Sequence, residues 1–193
     1  MENFDALAAA KPSPRGAQKV ENAIEMVSRL GIKARLVISH ASGDEGHDYE
    51  QRIVDYSRRM QVNTLFVSDI INDRRGTTAD GRKIYTLYDI YHHADFITYP
   101  STIEGFGNAF LEAVYFRKPI LVNQYSIYTF DIKPKGFKAV EIEGYVTDAA
   151  VAEDSALIEN AALRDAMVDN NYRLGKTFFS YEVLHDKLMN LMV

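Results

Sequence analysis

The sequence predicts an α/β domain in which a parallel sheet carries helices on both faces. Short apolar runs of strand length alternate with segments of helical periodicity along most of the chain. The runs are apolar at nearly every position, which is typical of parallel strands that are buried on both sides. With 193 residues, 47% of them hydrophobic, the chain is long enough to bury one core. We therefore expect residues 1–193 to form a single domain.

The first half of the chain alternates strand and helix. The predicted elements are a strand at 4–8, a helix at 20–30, a strand at 34–39, a helix at 49–60 and a strand at 64–67. Pro12 and Pro14 end the first strand, because proline fits neither a helix interior nor a strand ladder. Gly31 is a typical stop for the helix before it.

The second half continues this alternation and then becomes helical. A polar loop at 73–83 precedes a helix at 87–93, a strand at 95–99, a helix at 108–116 and strands at 119–123 and 138–142. Pro100 ends the strand before it. Residues 148–193 have apolar residues at helical spacing and predict a helical C-terminal tail.

The parallel topology predicts where a ligand binds. Right-handed crossovers bring the C-terminal ends of the strands to one edge of the sheet, and ligands of such sheets bind outside that edge. The loops at this edge are 10–16, 40–47, 68–83, 100–108 and 123–136. Functional residues are expected in these loops.

The composition excludes several classes of function. The net charge of −5 gives a surface that repels nucleic-acid phosphates. The absence of cysteine excludes disulfides, thiol nucleophiles and thiolate metal sites, and it fits a reducing cytoplasm. No apolar run reaches the roughly 20 residues of a bilayer-spanning helix, and Glu2 and Asp5 are unlike the basic start of a signal peptide. We expect a cytoplasmic protein without a transmembrane segment; peripheral contact with a membrane is left open.

The most informative segment is STIEGFGNAFLEA at 101–113, between a predicted strand and a predicted helix. Gly105 and Gly107 allow the backbone to approach a ligand closely. The first amides of the helix lack internal partners and lie at the positive end of its dipole, which suits a phosphate. Glu104 in the turn and Glu112 in the helix can each accept hydrogen bonds from hydroxyls. The segment therefore predicts a site for a sugar joined to a diphosphate.

The spacing of the two glutamates resembles a family signature. The pattern E-x7-E, here Glu104-GFGNAFL-Glu112 preceded by YPS, is similar to that of retaining GT-B glycosyltransferases of family 4, the glycogen-synthase-like group. The flanking HHADFITYPS and AVYFRKPILVNQ, and PRGAQKVENAIEMVSRL near the start, resemble the same family. The resemblance covers essentially the whole chain. It implies the Rossmann-like C-terminal half of a GT-B enzyme, which binds the sugar donor.

The resemblance also implies a role for each residue of the segment. Glu104 is implied as the catalytic residue, which holds hydroxyls of the donor sugar, and Glu112 as the ligand of the nucleotide ribose. The donor sugar and diphosphate are implied to lie along four residues: Gly105, Phe106, Gly107 and Asn108. The substrate is implied to be a UDP-, GDP- or ADP-linked hexose, which passes to an acceptor hydroxyl with retained configuration and without a cofactor or metal.

The family's second domain and one of its basic residues are missing from the pattern. The N-terminal, acceptor-binding GT-B domain has no counterpart in residues 1–193, so the chain alone is expected to be inactive. The family has Arg-x4-Lys after the first strand; here Lys11 takes the arginine position and Gly16 the lysine position. Arg15 substitutes for the lysine if the loop shifts by one residue, so that Lys11 and Arg15 are the candidate diphosphate-binding cations. Loss of one cation weakens stabilisation of the leaving group, and a weakened sugar-nucleotide-binding or interaction domain is the alternative function.

Other interpretations of the polar residues stay open. Glu104 and Glu112 can be ordinary surface or capping carboxylates. A dinucleotide fingerprint is a poor match, because Phe110 stands where the third glycine belongs. Two further sets of loop residues are more typical of solvated loops than of a metal or phosphate site, namely His40, Asp44, His47 and Asp48, and Arg74, Arg75, Arg82 and Lys83. An acceptor or nucleotide role is open for Tyr125, Tyr128, Lys133 and Lys135.

Overall fold

The computed structural model describes residues 6–10, 18–39 and 46–192 of the chain. The strands are β1 (Ala6–Ala10), β2 (Ala34–Ile38), β3 (Asn63–Phe66), β4 (Gly76–Thr77), β5 (Lys83–Ile84), β6 (Phe96–Tyr99), β7 (Ile120–Asn123) and β8 (Val140–Ile142). The helices are α1 (Gln18–Arg29), α2 (Gly46–Arg59), α3 (Leu87–His93), α4 (Asn108–Tyr115), α5 (Asp148–Glu159), α6 (Ala161–Phe179) and α7 (Tyr181–Leu191). A π-helical turn lies at Tyr128–Ile132, and short 3-10 turns lie at Ser68–Ile70 and Lys133–Lys135.

The main sheet has the strand order β3-β2-β1-β6-β7-β8, and each of its pairings is parallel. When the β4–β5 pair is set aside, this is the Rossmann order 3-2-1-4-5-6, in which the direction of strand addition reverses beside the first strand. The reversal lies between β1 and β6, where Ala10 pairs with Thr98. The predicted α/β, Rossmann-like parallel sheet is therefore confirmed, and the C-terminal ends of its strands share one edge.

The central strands send alternate residues into two cores, one on each face of the sheet. In β6 and β7, Ile97 and Ile120 belong to one core, whereas Phe96 and Leu121 belong to the other. Residues of α3, α4 and α6 complete the first core, and residues of α1, α5 and α6 complete the second. This alternation follows from the two-residue period of a strand, and it explains why these strands are apolar at nearly every position.

The C-terminal tail is helical, as predicted, over the part of 148–193 that the structure describes, and it consists of three helices there. Each begins at a polar cap: Thr147, Asn160 and Ser180 accept hydrogen bonds from the amides of the first turn. α6 crosses α4 closely, because a Cβ on Gly175 would lie 2.8 Å from Cγ1 of Val114. The tail thereby supports α4, the helix that follows the candidate segment.

Two elements differ from the sequence-based expectation. β1 occupies Ala6–Ala10 rather than 4–8. The predicted loop at 73–83 contains an antiparallel hairpin in which Thr77 pairs with Lys83 and Gly76 with Ile84. These strands are too short to produce an alternating pattern. Within the described residues, no helix is both long and apolar enough to cross a membrane.

Candidate functional site

The predicted segment lies at the C-terminal edge of the sheet, between β6 and α4. β6 ends at Tyr99, and Pro100 follows, which cannot donate to a strand ladder. The chain then runs without regular structure to Gly107, the cap of α4, whose φ is 92°. The amide of Phe110 donates to the Gly107 carbonyl at 2.9 Å and starts the helix. Glu104 thus precedes the helix and Glu112 lies within it, on the elements where the sequence places them.

Gly107 is required at its position for two separate reasons. Its left-handed backbone conformation is rarely adopted by residues that carry a side chain. A Cβ there would also overlap the hydroxyl oxygen of Tyr125 and lie 3.2 Å from its Cζ. Gly105 differs, because nothing lies within 4 Å of the position that its Cβ would take. The space beside Gly105 is open to a ligand.

The first turn of α4 presents free amides beside this open space. No side chain of the described residues caps the helix at Gly107. The backbone hydrogen bonds at this end begin with the amides of Phe110 and Leu111, so those of Asn108 and Ala109 have no partner in the described part of the chain. Unpaired amides at the positive end of a helix dipole attract an anion. The geometry therefore suits a phosphate group above Gly105 and Gly107.

Glu104 is held in the turn by two hydroxyl groups. The Ser101 hydroxyl donates to Oε1 of Glu104, and Ser101 is completely buried. Tyr99 is also buried, and burial together with its hydrogen bond to Glu104 raises the pKa of the Tyr99 phenol. Glu104 itself is half-buried. Its carboxylate is consequently fixed on one side and accessible on the other, as required to accept hydrogen bonds from a ligand.

Glu112 is held by a phenol of the neighbouring helix. The Tyr91 hydroxyl donates to Oε2 of Glu112 at 2.8 Å, and the Tyr91 ring stacks on Phe116 with 5.1 Å between centroids. Burial raises the pKa of the Tyr91 phenol, and the Glu112 carboxylate raises it further. Tyr91 therefore stays protonated and remains a donor. Sequence reasoning identified both glutamates but not the tyrosines that orient them.

The candidate cations at the start of the chain, Lys11 and Arg15, lie outside the described residues, as does Gly16. The strand before them is described: β1 ends at Ala10, beside Thr98 of β6. The chain therefore leaves β1 at the same edge of the sheet as the segment that carries Glu104.

The basic loop at 74–83 is largely neutralised by its own neighbours. Arg75 forms an ion pair with Asp89, and Arg82 contacts Asp69 at 2.6 Å and Asp80 at 2.9 Å. These side chains are about half exposed or more, except Asp89. The pairing supports the interpretation of this segment as a solvated loop rather than a phosphate site.

The loop after β7 surrounds a carboxylate that sequence reasoning missed. Tyr128 donates to Oε1 of Glu141 at 2.8 Å, while Lys133 and Gln124 contact its Oε2 at 2.5 and 2.9 Å. A lone glutamate inside a predicted strand is the one sequence signal for this cluster. Lys135 instead pairs with Asp131. These contacts assign Tyr128 and Lys133 to holding the loop against β8.

Within the described residues, the candidate segment carries no group of metal ligands and is bordered by a cavity. Of the proposed metal ligands, His40 and Asp44 lie outside the described residues, and within those residues no three His, Asp or Glu side chains are grouped to hold a metal ion. A cavity of about 430 Å³ borders the segment at Phe106, with Lys135, Phe179 and Leu184 among its other lining residues. Its lining does not include Glu104 or Glu112.

The sequence is similar to curated proteins of one kind. No protein-family model matches the chain. It is 31% identical over 157 residues to mannosylglucosylglycerate synthase of Thermotoga maritima, an alignment that covers 75% of this chain and 35% of that protein. It is 40% identical over 98 residues to mannosylglucosylglycerate synthase of Petrotoga mobilis, covering 51% and 22%. The chain thus matches about a third of the length of these relatives or less.

Solved structures resemble the whole chain. Sucrose-phosphate synthase of Thermosynechococcus elongatus superimposes with a TM-score of 0.73 at 13% identity, covering 97% of this chain and 45% of that one. HepE of Anabaena, in complex with UDP, superimposes with a TM-score of 0.74 at 13% identity. The match covers 97% of this chain and 48% of HepE. The C-terminal domain of a glycosyl transferase group 1 family protein of Francisella tularensis superimposes with a TM-score of 0.65 at 16% identity. The match covers 92% of this chain and 87% of that domain. At these identities the likeness establishes the fold.

Proposed function

We propose that this chain, which has the fold of the C-terminal domain of GT-B glycosyltransferases, binds the sugar-nucleotide donor of a retaining hexosyl transfer. One observation carries the proposal: two accessible carboxylates, each oriented by buried hydroxyl groups, flank the uncapped N-terminus of α4. Carboxylates accept hydrogen bonds from sugar hydroxyls, and free amides donate hydrogen bonds to a phosphate. A hexose matches one carboxylate, a ribose matches the other, and a diphosphate matches the amides.

In the proposed mode of binding, each group of the site meets one part of the donor. Glu104 is the catalytic residue and orients the donor sugar, and Glu112 accepts hydrogen bonds from the ribose. The diphosphate lies along the backbone of 105–108. Preorganised donors aimed at a leaving group are among the largest contributions to catalysis, and the α4 amides with Lys11 and Arg15 supply that charge. We therefore propose no metal or other cofactor.

The relatives support a hexose and a nucleoside diphosphate. The curated relatives are named for a product that contains mannosyl and glucosyl units, which favours a hexose as the transferred group. Solved structures of the same fold hold UDP, or UDP with glucose. In our proposal the donor of this chain is a sugar linked to UDP, GDP or ADP.

The proposal assigns acceptor binding to another domain. Because the chain matches about a third of its curated relatives, we propose that an N-terminal GT-B domain faces this edge in the complete cytoplasmic enzyme and holds the acceptor hydroxyl. The chain alone then binds the donor and turns over nothing. Gly16, in place of the family's lysine, favours the alternative of a catalytically weakened binding domain, in which donor binding persists after the acceptor domain is joined but transfer is slow.

Calorimetric titration with UDP, GDP, ADP and their hexose conjugates tests the proposal. We expect one nucleotide series to bind. Glu112→Ala should weaken binding of the bare nucleotide by about tenfold or more, because a hydrogen bond to a charged group contributes about 1.5–3 kcal/mol. Glu104→Ala should weaken mainly the binding of the sugar conjugate, for the same reason. Glu143→Ala, which removes an exposed carboxylate of the same type, is the control and should leave both affinities unchanged. Absence of binding to every nucleotide would overturn the proposed function.

A further inference from the structure

The hydroxyl of Tyr125 is buried without a hydrogen-bond partner among the described residues. Tyr125 is 1% exposed and follows β7 directly, with its amide donating to the Asn123 carbonyl at 2.7 Å. The other three buried tyrosines at this edge each donate to a carboxylate, Tyr91 to Glu112, Tyr99 to Glu104 and Tyr128 to Glu141. Since a buried hydroxyl without a partner is unfavourable, this one requires an explanation.

The Tyr125 hydroxyl lies under the candidate segment. It occupies the position that a Cβ of Gly107 would need, so the segment rests on it only because residue 107 has no side chain. The Tyr125 ring meets Tyr99, the phenol bonded to Glu104, edge-to-face at 6.2 Å between centroids. Burial raises the pKa of the Tyr125 phenol, and the Glu104 carboxylate raises it further. The phenol is protonated at neutral pH and available as a donor.

We propose that Tyr125 is a positioning residue for Glu104, whose carboxylate receives the Tyr125 hydrogen bond when a sugar nucleotide occupies the site. This role rests on the proposed function. Oε1 of Glu104 is occupied by the Ser101 hydroxyl in the present arrangement. A bound sugar adds its hydroxyls to the donors around this carboxylate, whose two oxygens offer about four acceptor sites, and in the proposed bound state the carboxylate turns to accept from the sugar and from Tyr125 together. The Tyr125 hydrogen bond then offsets the weakening of the one from Ser101, and no proton leaves the phenol.

In this proposal, Tyr125 contributes to binding of the sugar but not to binding of the nucleotide. Glu112, which faces the ribose in the proposed function, is held by Tyr91 on another helix and does not depend on Tyr125. Removal of the Tyr125 hydroxyl should therefore weaken the affinity for the sugar conjugate and leave that for the bare nucleotide unchanged.

Tyr125→Phe tests this inference, because it removes the hydroxyl and keeps the ring. Calorimetry on the chain with UDP, GDP and ADP and with their hexose conjugates gives the ratio of the two affinities for the series that binds. We expect that ratio to fall about fivefold or more in the variant, the loss expected for one hydrogen bond. Tyr128→Phe is the matched control, a buried phenol of the same loop whose partner is Glu141, and it should keep the wild-type ratio.

The outcomes separate the two proposals. An unchanged ratio in Tyr125→Phe overturns the role of Tyr125 and leaves the proposed function intact, whereas a wild-type chain that binds no nucleotide overturns both. Equal weakening of nucleotide and conjugate shows a merely structural role and also overturns the inference. Denaturant unfolding provides a second readout, because loss of an unpaired hydroxyl should not destabilise the free chain, whereas Tyr128→Phe should destabilise it. A ligand-induced red shift of tyrosine absorption, present in the wild type and lost in Tyr125→Phe, would support donation to a carboxylate.

Discussion

Among single residues, Gly107 has the narrowest tolerance in the candidate site. Both its left-handed backbone and the hydroxyl oxygen below it exclude a side chain. Gly105, two positions earlier, has neither constraint. The two glycines of one loop therefore serve different ends: Gly107 allows the loop to fold, and Gly105 leaves room for a ligand.

Gly107→Ala should destabilise the chain by about 2–4 kcal/mol. The left-handed conformation alone costs a residue with a side chain about 1–2 kcal/mol, and the overlap with Tyr125 adds to it. Gly105→Ala should change stability by less than about 1 kcal/mol, because its Cβ meets open space. Urea unfolding of both variants measures the difference. Equal stability of the two would contradict the packing described at Gly107.

The sequence predicts the two glutamates of the candidate site but not the groups that orient them. Glu104 and Glu112 were identified because they flank two glycines at the junction of a strand and a helix. The partner of Glu112 lies 21 residues earlier, on another helix, and only the packing of α3 against α4 brings the two together. No sequence pattern indicates the unpaired hydroxyl of Tyr125, because the absence of a hydrogen-bond partner depends on the tertiary packing around it.

Among the elements, α6 is hydrogen-bonded through one side chain to the residue that leads into β8. Asn171, 1% exposed, accepts a hydrogen bond from the Lys138 amide at 2.9 Å and donates to the Lys138 carbonyl at 2.7 Å. Its side chain thus pairs both backbone groups of the residue that leads into β8. This contact fixes α6, which in turn packs on α4 through Gly175.

Asn171→Ala should lower the free energy of unfolding by about 2–4 kcal/mol, because the amide and the carbonyl of Lys138 both lose a buried hydrogen-bond partner. Asn170→Ala is the control: Asn170 is half-buried and donates to the Gly136 carbonyl at 3.1 Å, so its loss should cost about 1 kcal/mol or less. Chemical denaturation of the two variants compares them. The interpretation fails if the neighbouring asparagine proves as important.

The strands and helices of the fold were predictable because apolar runs alternate with helical spacing along the chain. β6 and β7 are only four residues long but apolar at nearly every position, and the helical spacing of the tail continues through the 19 residues of α6. The β4–β5 hairpin and the π-helical turn at Tyr128–Ile132 were not, because two-residue strands carry no period and the turn is held by tertiary contacts to Glu141. Prediction from local sequence patterns fails where contacts with residues distant in the sequence determine the conformation.

For the whole molecule, one buried carboxyl makes stability depend on pH. Asp154 on α5 is 1% exposed, and its Oδ1 has no hydrogen-bond partner in the described part of the chain. Burial, together with the charge of the neighbouring Glu153, raises the pKa of Asp154 to about 8. In the unfolded chain the same carboxyl has a pKa of about 3.9. Between these values the native state binds a proton that the unfolded state releases.

The free energy of unfolding should therefore fall as pH rises from about 4 to about 8, by about 1.4 kcal/mol per pH unit from this group. Asp154→Asn, which mimics the protonated form, should remove that slope and make the chain more stable than the wild type at pH values near 8. Glu159→Gln, an exposed carboxyl on the same helix, should retain the wild-type slope. Urea unfolding across this pH range tests both variants, and an identical slope in Asp154→Asn would contradict the burial of a neutral carboxyl.

The placement of β1 beside β6 links the candidate site to the order in which the chain folds. The pairing of Ala10 with Thr98 joins segments that are far apart in sequence, so a long loop must close before the two strand ends become neighbours. A nascent or truncated chain that lacks β6 forms neither the turn with Glu104 nor the helix with Glu112. In the proposed function, a donor molecule therefore binds only after the central sheet has closed, and binding would stabilise the finished sheet rather than guide its assembly.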